Sequence, residues 1–233
     1  MTERGYLLDI EGTTTPVDFV HRVLFPFARN AMSEYLNSNA TDPSLVEDAA
    51  SLFLDYQAES EAPAGWDGSV MSAGFLDYLY FLMDHDKKST GLKAIQGRIW
   101  AEGYSDGRLV SEIYDDVEPA IRCWKSAGAK VCIFSSGSVE AQKLLFGHLR
   151  SGSILHLLDG YFDTTIGPKR DASSYQRIAN EMQLPLGDVL FLSDTPQEIE
   201  AAQTAGMNAV LVNRNADSSK YPAYICSFAD LSV

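Results

Sequence analysis

The stretch YLLDIEGTTTP, residues 6–16, decides the fold of this chain. It opens with a short apolar run, which predicts a strand over residues 6–10. Strands of this kind are typical of a parallel sheet that is covered on both faces. The run carries Asp9 near its end and is followed by Gly12 and three threonines. Because ligands bind just past the carboxyl ends of parallel strands, we expect Asp9 to face a binding or catalytic site.

The second half of the chain repeats this strand pattern in alternation with helices. After residue 116, short apolar runs alternate with segments whose apolar residues recur at helical spacing. Such alternation predicts a doubly wound α/β sheet. We predict strands over 131–134, 189–192 and 209–212, and helices over 118–127, 139–149, 172–182 and 196–205.

The intervening segment shows only helical patterns. Apolar residues recur there at three- and four-residue spacing, and Asp42-Pro43 has the form of a helix start. We predict helices over 17–35, 43–58, 74–85 and 92–102. The sequence therefore predicts an α/β core, residues 1–15 and 117–233, with an inserted all-helical cap domain, residues 16–116.

Composition excludes several classes of protein. The formal net charge of -14 repels nucleic acid and anionic membranes, so we expect neither as a partner. Three cysteines without CxxC spacing do not make a disulfide framework. No apolar run approaches the roughly 20 residues that a membrane span needs. We predict a soluble cytoplasmic protein.

Polar residues that could take part in catalysis or binding lie at the ends of three predicted strands and in one loop. Acids follow the first and third of these strands, serines follow the second, and a lysine lies in the loop. These residues are Asp9 and Glu11, Ser135 and Ser136, Asp194, and Lys169.

Together these residue types suit phosphoryl transfer. Asp9 can attack phosphorus and form an aspartyl phosphate, and Asp194 can supply a second hard oxygen ligand to Mg²⁺. Ser135 can hold the phosphoryl oxygens, and the Lys169 ammonium can lie between the phosphate and Asp9. Glu11 can protonate the leaving group and then activate water.

Each residue alone also has an ordinary structural interpretation. An acid after a strand often forms a turn, and Asp194 before Thr195-Pro196 could cap a helix. Ser135 and Ser136 could open the helix that follows them, and Lys169 could be a solvated surface charge. The complete set, with each member at its expected element, favours the catalytic interpretation.

The set resembles the four motifs of the haloacid-dehalogenase (HAD) superfamily. The resemblance is closest to the enolase-phosphatases of methionine salvage, also called acireductone synthases, in which Glu replaces the second Asp of the first motif. It spans nearly the whole chain and is weakest over residues 37–70. The segments that carry it are DIEGTT (9–14), IWAEGY (99–104), YDDV (114–117), SSGSVEAQKLLFG (135–147), GPKR (167–170) and FLSD (191–194).

This resemblance implies a HAD-like fold and a bifunctional reaction. The enzyme would enolise 2,3-diketo-5-methylthiopentyl-1-phosphate and then remove phosphate through an aspartyl phosphate on Asp9, giving an acireductone. It implies a monomer, and catalytic roles for Asp9, Glu11 and Lys169. It implies one Mg²⁺ bound by Asp9, by Glu11 (usually through its backbone carbonyl) and by Asp194, and substrate contacts from Ser135, Ser136 and Lys169.

Three alternatives stay open at this point. The chain could be another Mg²⁺-dependent HAD phosphatase, a metal-independent haloacid dehalogenase, or a protein that uses the fold only for binding. Glu11 and Asp194 argue against a dehalogenase, and three carboxylates beside an anion argue against a pure binder. Within the predicted cap, Trp100 and Tyr104 are the first candidates for facing the substrate, and His21 and Lys93 rank after them.

Overall fold

The computed structural model describes residues 5–87, 89–214 and 224–231. These residues form two compact units. The helical unit is His21–Leu109, and the α/β unit comprises the described residues before and after it. The predicted cap, residues 16–116, is longer at both ends than the helical unit. The extra residues at its ends lie in the α/β unit.

A parallel sheet forms the α/β unit. Its strand order is β3-β2-β1-β4-β5-β6, and every described pair of neighbouring strands is parallel. Helices precede or follow the strands along the chain, which confirms the predicted fold class. The elements are β1 (Gly5–Leu8), α1 (Val17–Phe19), α6 (Val117–Ser126), β2 (Lys130–Phe134), α7 (Val139–Gly147), β3 (Gly160–Phe162), α8 (Ala172–Met182), β4 (Val189–Ser193), α9 (Pro196–Ala205), β5 (Asn208–Val212) and β6 (Tyr224–Ile225).

The register of the sheet places three strand ends side by side. Leu8, the last residue of β1, pairs with Ile133 of β2 and Leu192 of β4. Asp9 directly follows β1, and its amide donates to the Leu192 carbonyl at 2.9 Å. Beyond Asp9 the chain turns sharply, because the amides of residues 13, 14 and 15 all donate to the Ile10 carbonyl. This turn explains why the strand predicted over 6–10 ends at Leu8.

Two of the described strands were not predicted from the sequence. The strand β3 has three residues and β6 has two, and neither has a fully buried residue in its span. Runs this short carry too little alternation or apolar content to be recognised. Both take part in the sheet through their neighbours β2 and β5.

The helical unit has its own core of buried apolar residues. Aromatic rings stack at its centre, with the Trp66 ring centroid 4.7 Å from that of Phe75 and 5.4 Å from that of Tyr78. No described helix of the chain is long and apolar enough to cross a membrane. The helices of this unit are α2 (Phe25–Ser38), α3 (Pro43–Ala58), α4 (Ala73–Asp84) and α5 (Thr90–Ser105).

The first predicted helix, 17–35, is interrupted. The chain forms α1, then a π-helix over Val20–Leu24, and only then α2. Pro26 in the first turn of α2 has no amide hydrogen, so it cannot continue the regular hydrogen-bond pattern of the preceding turn. By contrast, the start predicted at Asp42 is confirmed, since its carboxylate accepts from the amides of Ser44 and Leu45.

Candidate active site

The Asp9 carboxylate is buried at the end of the central strand β1, with the residue only 5 % exposed. Its Oδ1 accepts hydrogen bonds from Lys169 Nζ at 2.5 Å and from the Ile10 amide at 2.7 Å. Its Oδ2 is 3.0 Å from Ser193 Oγ. Several donors therefore fix the orientation of a carboxylate that has little access to water.

Lys169 lies in the loop before α8 and is itself buried, with 8 % of its side chain exposed. Besides Asp9 it pairs with Glu198 Oε2 at 2.7 Å. Burial of the ammonium disfavours its charge, but the carboxylates of Asp9 and Glu198 outweigh this cost and raise the pKa of Lys169. The hydroxyl of Tyr175 donates to the Lys169 carbonyl at 2.6 Å and holds the loop. The interpretation of Lys169 as a solvated surface charge is wrong.

Glu198 is a site residue that the sequence analysis missed. It lies in the first turn of α9, four residues after Asp194, and is 8 % exposed. Ser193 Oγ is 3.0 Å from Glu198 Oε2 as well as from Asp9. Burial and the charge of Asp9 raise the pKa of Glu198, although Lys169 and Ser193 act in the opposite direction. The available signal was an acid one helical turn beyond Asp194.

Asp194 follows β4 and lies close to the turn after Asp9. Its amide donates to Thr13 Oγ1 at 2.9 Å, and its Oδ1 accepts from the Thr195 hydroxyl at 3.1 Å. A Cβ atom built on Gly12, whose φ is +67°, would lie only 2.1 Å from Asp194 Oδ2. Burial and the nearby negative charge of Asp9 raise the pKa of Asp194. The structure thus brings the two predicted acids, 9 and 194, to one place.

These two acids fit a divalent cation. They are hard oxygen donors, and a cation beside them would offset both the burial and the repulsion from Asp9 that raise the pKa of Asp194. The side chain of Glu11 is exposed and does not join them in the buried cluster. Within the described residues, no three His, Cys, Asp or Glu side chains are grouped closely enough to hold a metal. If the third ligand is the backbone carbonyl of Glu11, as the resemblance implies, the metal site requires no third carboxylate.

The serine loop follows β2, the strand beside β1. Ser135 is half-buried, its amide donates to the Phe162 carbonyl at 3.1 Å, and its Oγ accepts from the Gly137 amide at 3.1 Å. Ser136 is exposed. Gln142 fixes this loop, because its Nε2 donates hydrogen bonds to the carbonyls of Gly137 and Phe162. Ser135 and Ser136 thus lie one and two residues past the strand end that neighbours Asp9.

The aromatic candidates of the helical unit differ in exposure. Trp100 is partly buried, contacts Phe25 with ring centroids 6.2 Å apart, and donates its indole N–H to the Leu24 carbonyl at 2.9 Å. Tyr104 is buried at 5 % exposure, which argues for a role in the core. Of this pair, only Trp100 retains surface for a ligand.

The arrangement in the α/β unit can perform nucleophilic substitution at the electrophilic atom of an anionic group such as a phosphate. It combines a fixed carboxylate, a buried ammonium beside it and a second acid suited to a cation. Of the predicted residues, Asp9, Lys169 and Asp194 come together here. Glu11 lies on the adjoining turn, and Ser135 and Ser136 lie at the neighbouring strand end.

Comparisons with known proteins agree with this chemistry. The sequence matches the family of haloacid dehalogenase-like hydrolases over residues 3–206. It is 46 % identical to the enolase-phosphatase E1 of Synechococcus elongatus over 214 residues, covering 91 % of this chain and 90 % of that protein. It is 42 % identical to the enolase-phosphatase E1 of Pseudomonas aeruginosa over 234 residues, with both chains fully covered.

Solved structures show the same fold. The crystal structure of the UTR4 protein from Saccharomyces cerevisiae superposes with a TM-score of 0.74 at 30 % identity, covering 94 % of both chains. A dehalogenase superposes with a TM-score of 0.53 at 21 % identity, covering 94 % of this chain and 89 % of that one, a likeness of fold alone.

Proposed function

The chain belongs to the haloacid dehalogenase-like hydrolases, and among them to the enolase-phosphatases, and from this premise we propose roles for the residues of its site. The enzyme converts 2,3-diketo-5-methylthiopentyl-1-phosphate to the acireductone 1,2-dihydroxy-3-keto-5-methylthiopentene and phosphate, in methionine salvage. We propose that Asp9 is its nucleophile.

Phosphate release proceeds in two steps in this proposal. One oxygen of the Asp9 carboxylate bonds to phosphorus while the bond from phosphorus to the C1 oxygen breaks. Glu11, whose side chain is exposed on the turn after Asp9, gives its proton to that leaving oxygen. Glu11 then accepts a proton from water as the water oxygen bonds to phosphorus, and the Asp9 carboxylate is released.

Lys169, Ser135 and Ser136 have binding roles in these steps. The Lys169 ammonium holds Asp9 in place and offers positive charge to the phosphoryl oxygens. Ser135 and Ser136, at the neighbouring strand end, supply hydrogen-bond donors to the same group. The buried position of Lys169 increases its electrostatic effect, because little water screens it.

Magnesium is the proposed cofactor, held by Asp9, Asp194 and the Glu11 carbonyl. When bound, Mg²⁺ offsets the repulsion between carboxylate and phosphate and stabilises the negative charge that enolisation places on oxygen. Support comes from the close approach of the Asp194 carboxylate to the turn after Asp9, where a Cβ atom on Gly12 would lie 2.1 Å from Asp194 Oδ2. Burial and the charge of Asp9 also raise the pKa of Asp194.

The observation that carries this assignment is the buried contact between Asp9 and Lys169, 160 residues apart in sequence. A nucleophilic carboxylate needs a cationic neighbour if it is to stay ionised while it approaches an anion. Cytoplasmic location, the monomeric state and the role of the helical unit as a cap stay predictions.

The direct test supplies the diketo phosphate and follows enol absorbance and free phosphate separately. We expect both signals with Mg²⁺ and neither phosphate release nor full enol formation after treatment with EDTA. Restoring Mg²⁺ should restore both signals. Full activity in EDTA would contradict the metal-dependent reaction, whereas release of phosphate without an enol signal would indicate a different phosphatase.

Substitution Glu11→Asp tests the double use of this side chain. Glutamate reaches one methylene further than aspartate, and we propose that this length lets one carboxyl group serve both enolisation and phosphate release. We expect the enolisation rate to fall about tenfold more than hydrolysis of p-nitrophenyl phosphate. Equal losses in the two rates would show that the extra length has no such role.

A further inference from the structure

A buried arginine of the α/β unit joins the two acidic segments of the site. Arg214 follows β5, and only 7 % of its side chain is exposed. Its Nε and Nη2 atoms donate to the Thr13 carbonyl at 3.0 and 2.7 Å. Thr13 Oγ1 in turn accepts a hydrogen bond from the Asp194 amide at 2.9 Å. Arg214 therefore contacts the turn after Asp9 directly and is linked to the segment that carries Asp194 through Thr13.

The guanidinium group is fixed on its remaining sides. Its Nη1 pairs with Asp116 Oδ2 at 2.7 Å, and its carbon lies 4.4 and 4.7 Å from the ring centroids of Tyr114 and Phe228. Burial of Asp116 opposes its charge, but hydrogen bonds from Arg214, the Phe228 amide and the Ser227 hydroxyl lower its pKa. The pair thus stays charged, and the planar group has little freedom to move.

The position of Thr13 matters because the turn is in contact with Asp194. The amides of Thr13, Thr14 and Thr15 share the Ile10 carbonyl, and these hydrogen bonds tie the turn together. There is no room for even a methyl group between Gly12 and the Asp194 carboxylate. A shift of the Thr13 peptide therefore changes the separation of the acidic groups on either side.

We propose that Arg214 is a positioning residue that holds the turn after Asp9 and the Asp194 segment at the separation required for binding a divalent cation. The inference rests on the proposed function, of which that cation is part. Lysine cannot replace arginine here, because one ammonium cannot donate from two fixed nitrogens to the Thr13 carbonyl and from a third to Asp116, as the planar guanidinium does.

The test measures metal binding without turnover. Mn²⁺ serves as a spectroscopic probe, titrated by electron paramagnetic resonance into wild-type enzyme and Arg214→Lys. We expect the variant to bind Mn²⁺ about 10- to 100-fold more weakly, the usual effect of losing a residue that orients a metal ligand. The Mg²⁺ concentration for half-maximal phosphate release should rise in parallel, while KM for the substrate at saturating Mg²⁺ stays near the wild-type value.

A second variant separates positioning from general stability. A cleft of about 390 Å³ is lined by Arg214, Tyr114 and Asp194, so a small cation can enter beside Arg214. In Arg214→Ala, guanidinium at millimolar concentration should restore part of the Mn²⁺ affinity. The control is Arg122→Lys, an exposed arginine paired with Glu118, for which we expect wild-type affinity.

The outcomes distinguish this inference from the function on which it rests. Wild-type Mn²⁺ affinity in folded Arg214→Lys, or a lower melting temperature without weaker metal binding, would overturn the positioning role alone. The absence of guanidinium rescue in folded Arg214→Ala would also count against it. If the wild-type enzyme neither binds Mn²⁺ nor releases phosphate, the proposed function fails and the inference fails with it.

Discussion

Replacing the nucleophile, Asp9→Asn, is expected to slow phosphate release by at least about 10⁴-fold. The amide cannot form the acyl phosphate, so the two-step path is closed. Each factor of ten corresponds to about 1.4 kcal/mol, and the barrier should therefore rise by more than about 5 kcal/mol. Enolisation should survive in part, because the amide oxygen can still face the cation. Phosphate and enol absorbance are measured in the same reaction.

A chemical trap makes the assignment of the nucleophile sharper. Wild-type enzyme quenched in acid during turnover of substrate labelled at phosphorus should carry the label on the peptide that contains Asp9. Asp9→Asn should carry none. Asp55→Asn, an exposed aspartate of the helical unit, is the matched control and should keep both the label and full activity. Near wild-type phosphate release by Asp9→Asn would remove this residue from its role.

The second large effect is expected for Lys169→Met. Loss of the ammonium should slow phosphate release by about 10²- to 10³-fold, because its charge faces the phosphoryl group. It also leaves two buried carboxylates, Asp9 and Glu198, without their cationic partner. Breaking such a pair costs about 3–5 kcal/mol of stability, which corresponds to a melting temperature lowered by on the order of 10 °C.

A double variant separates the catalytic loss from the loss of stability. In Lys169→Met with Glu198→Gln, one buried negative charge is removed together with its partner. We expect much of the melting temperature to return while phosphate release stays low. Lys125→Met is the control, since its partly exposed pair with Asp159 should contribute about 1 kcal/mol or less. Recovery of activity in the double variant would show that Lys169 acts only through folding.

The sequence-based predictions are accurate for elements whose residue pattern lies within one short segment, and they fail for elements that depend on other parts of the chain. The helices Pro43–Ala58 and Ala172–Met182 have the predicted bounds, because the apolar spacing lies within each segment and a capping aspartate stands directly before it. The π-helix Val20–Leu24 was not predicted, since it depends on how the turn before Pro26 closes. The short strand β3 was missed because it is defined by its partner β2.

The site divides in the same way. Asp9 and Asp194 stand directly after apolar strands, so the rule for parallel sheets predicted their meeting. Glu198 carries no such mark, because an acid in the first turn of a helix ordinarily interacts with the helix dipole in solvent. Arg214 was missed for a similar reason, as its partners Thr13 and Asp116 are about 200 and 100 residues away.

The sequence by itself determined the longer helices and strands, the parallel sheet and the presence of acids and a lysine suited to phosphoryl transfer, because hydrophobic periodicity and strand-end position are properties of short segments. Only the tertiary structure decided which charges are buried and paired. Glu198 and Arg214 acquire their roles from contacts between distant segments, and the free energy of a charged group depends on the solvent it loses and the partners it gains.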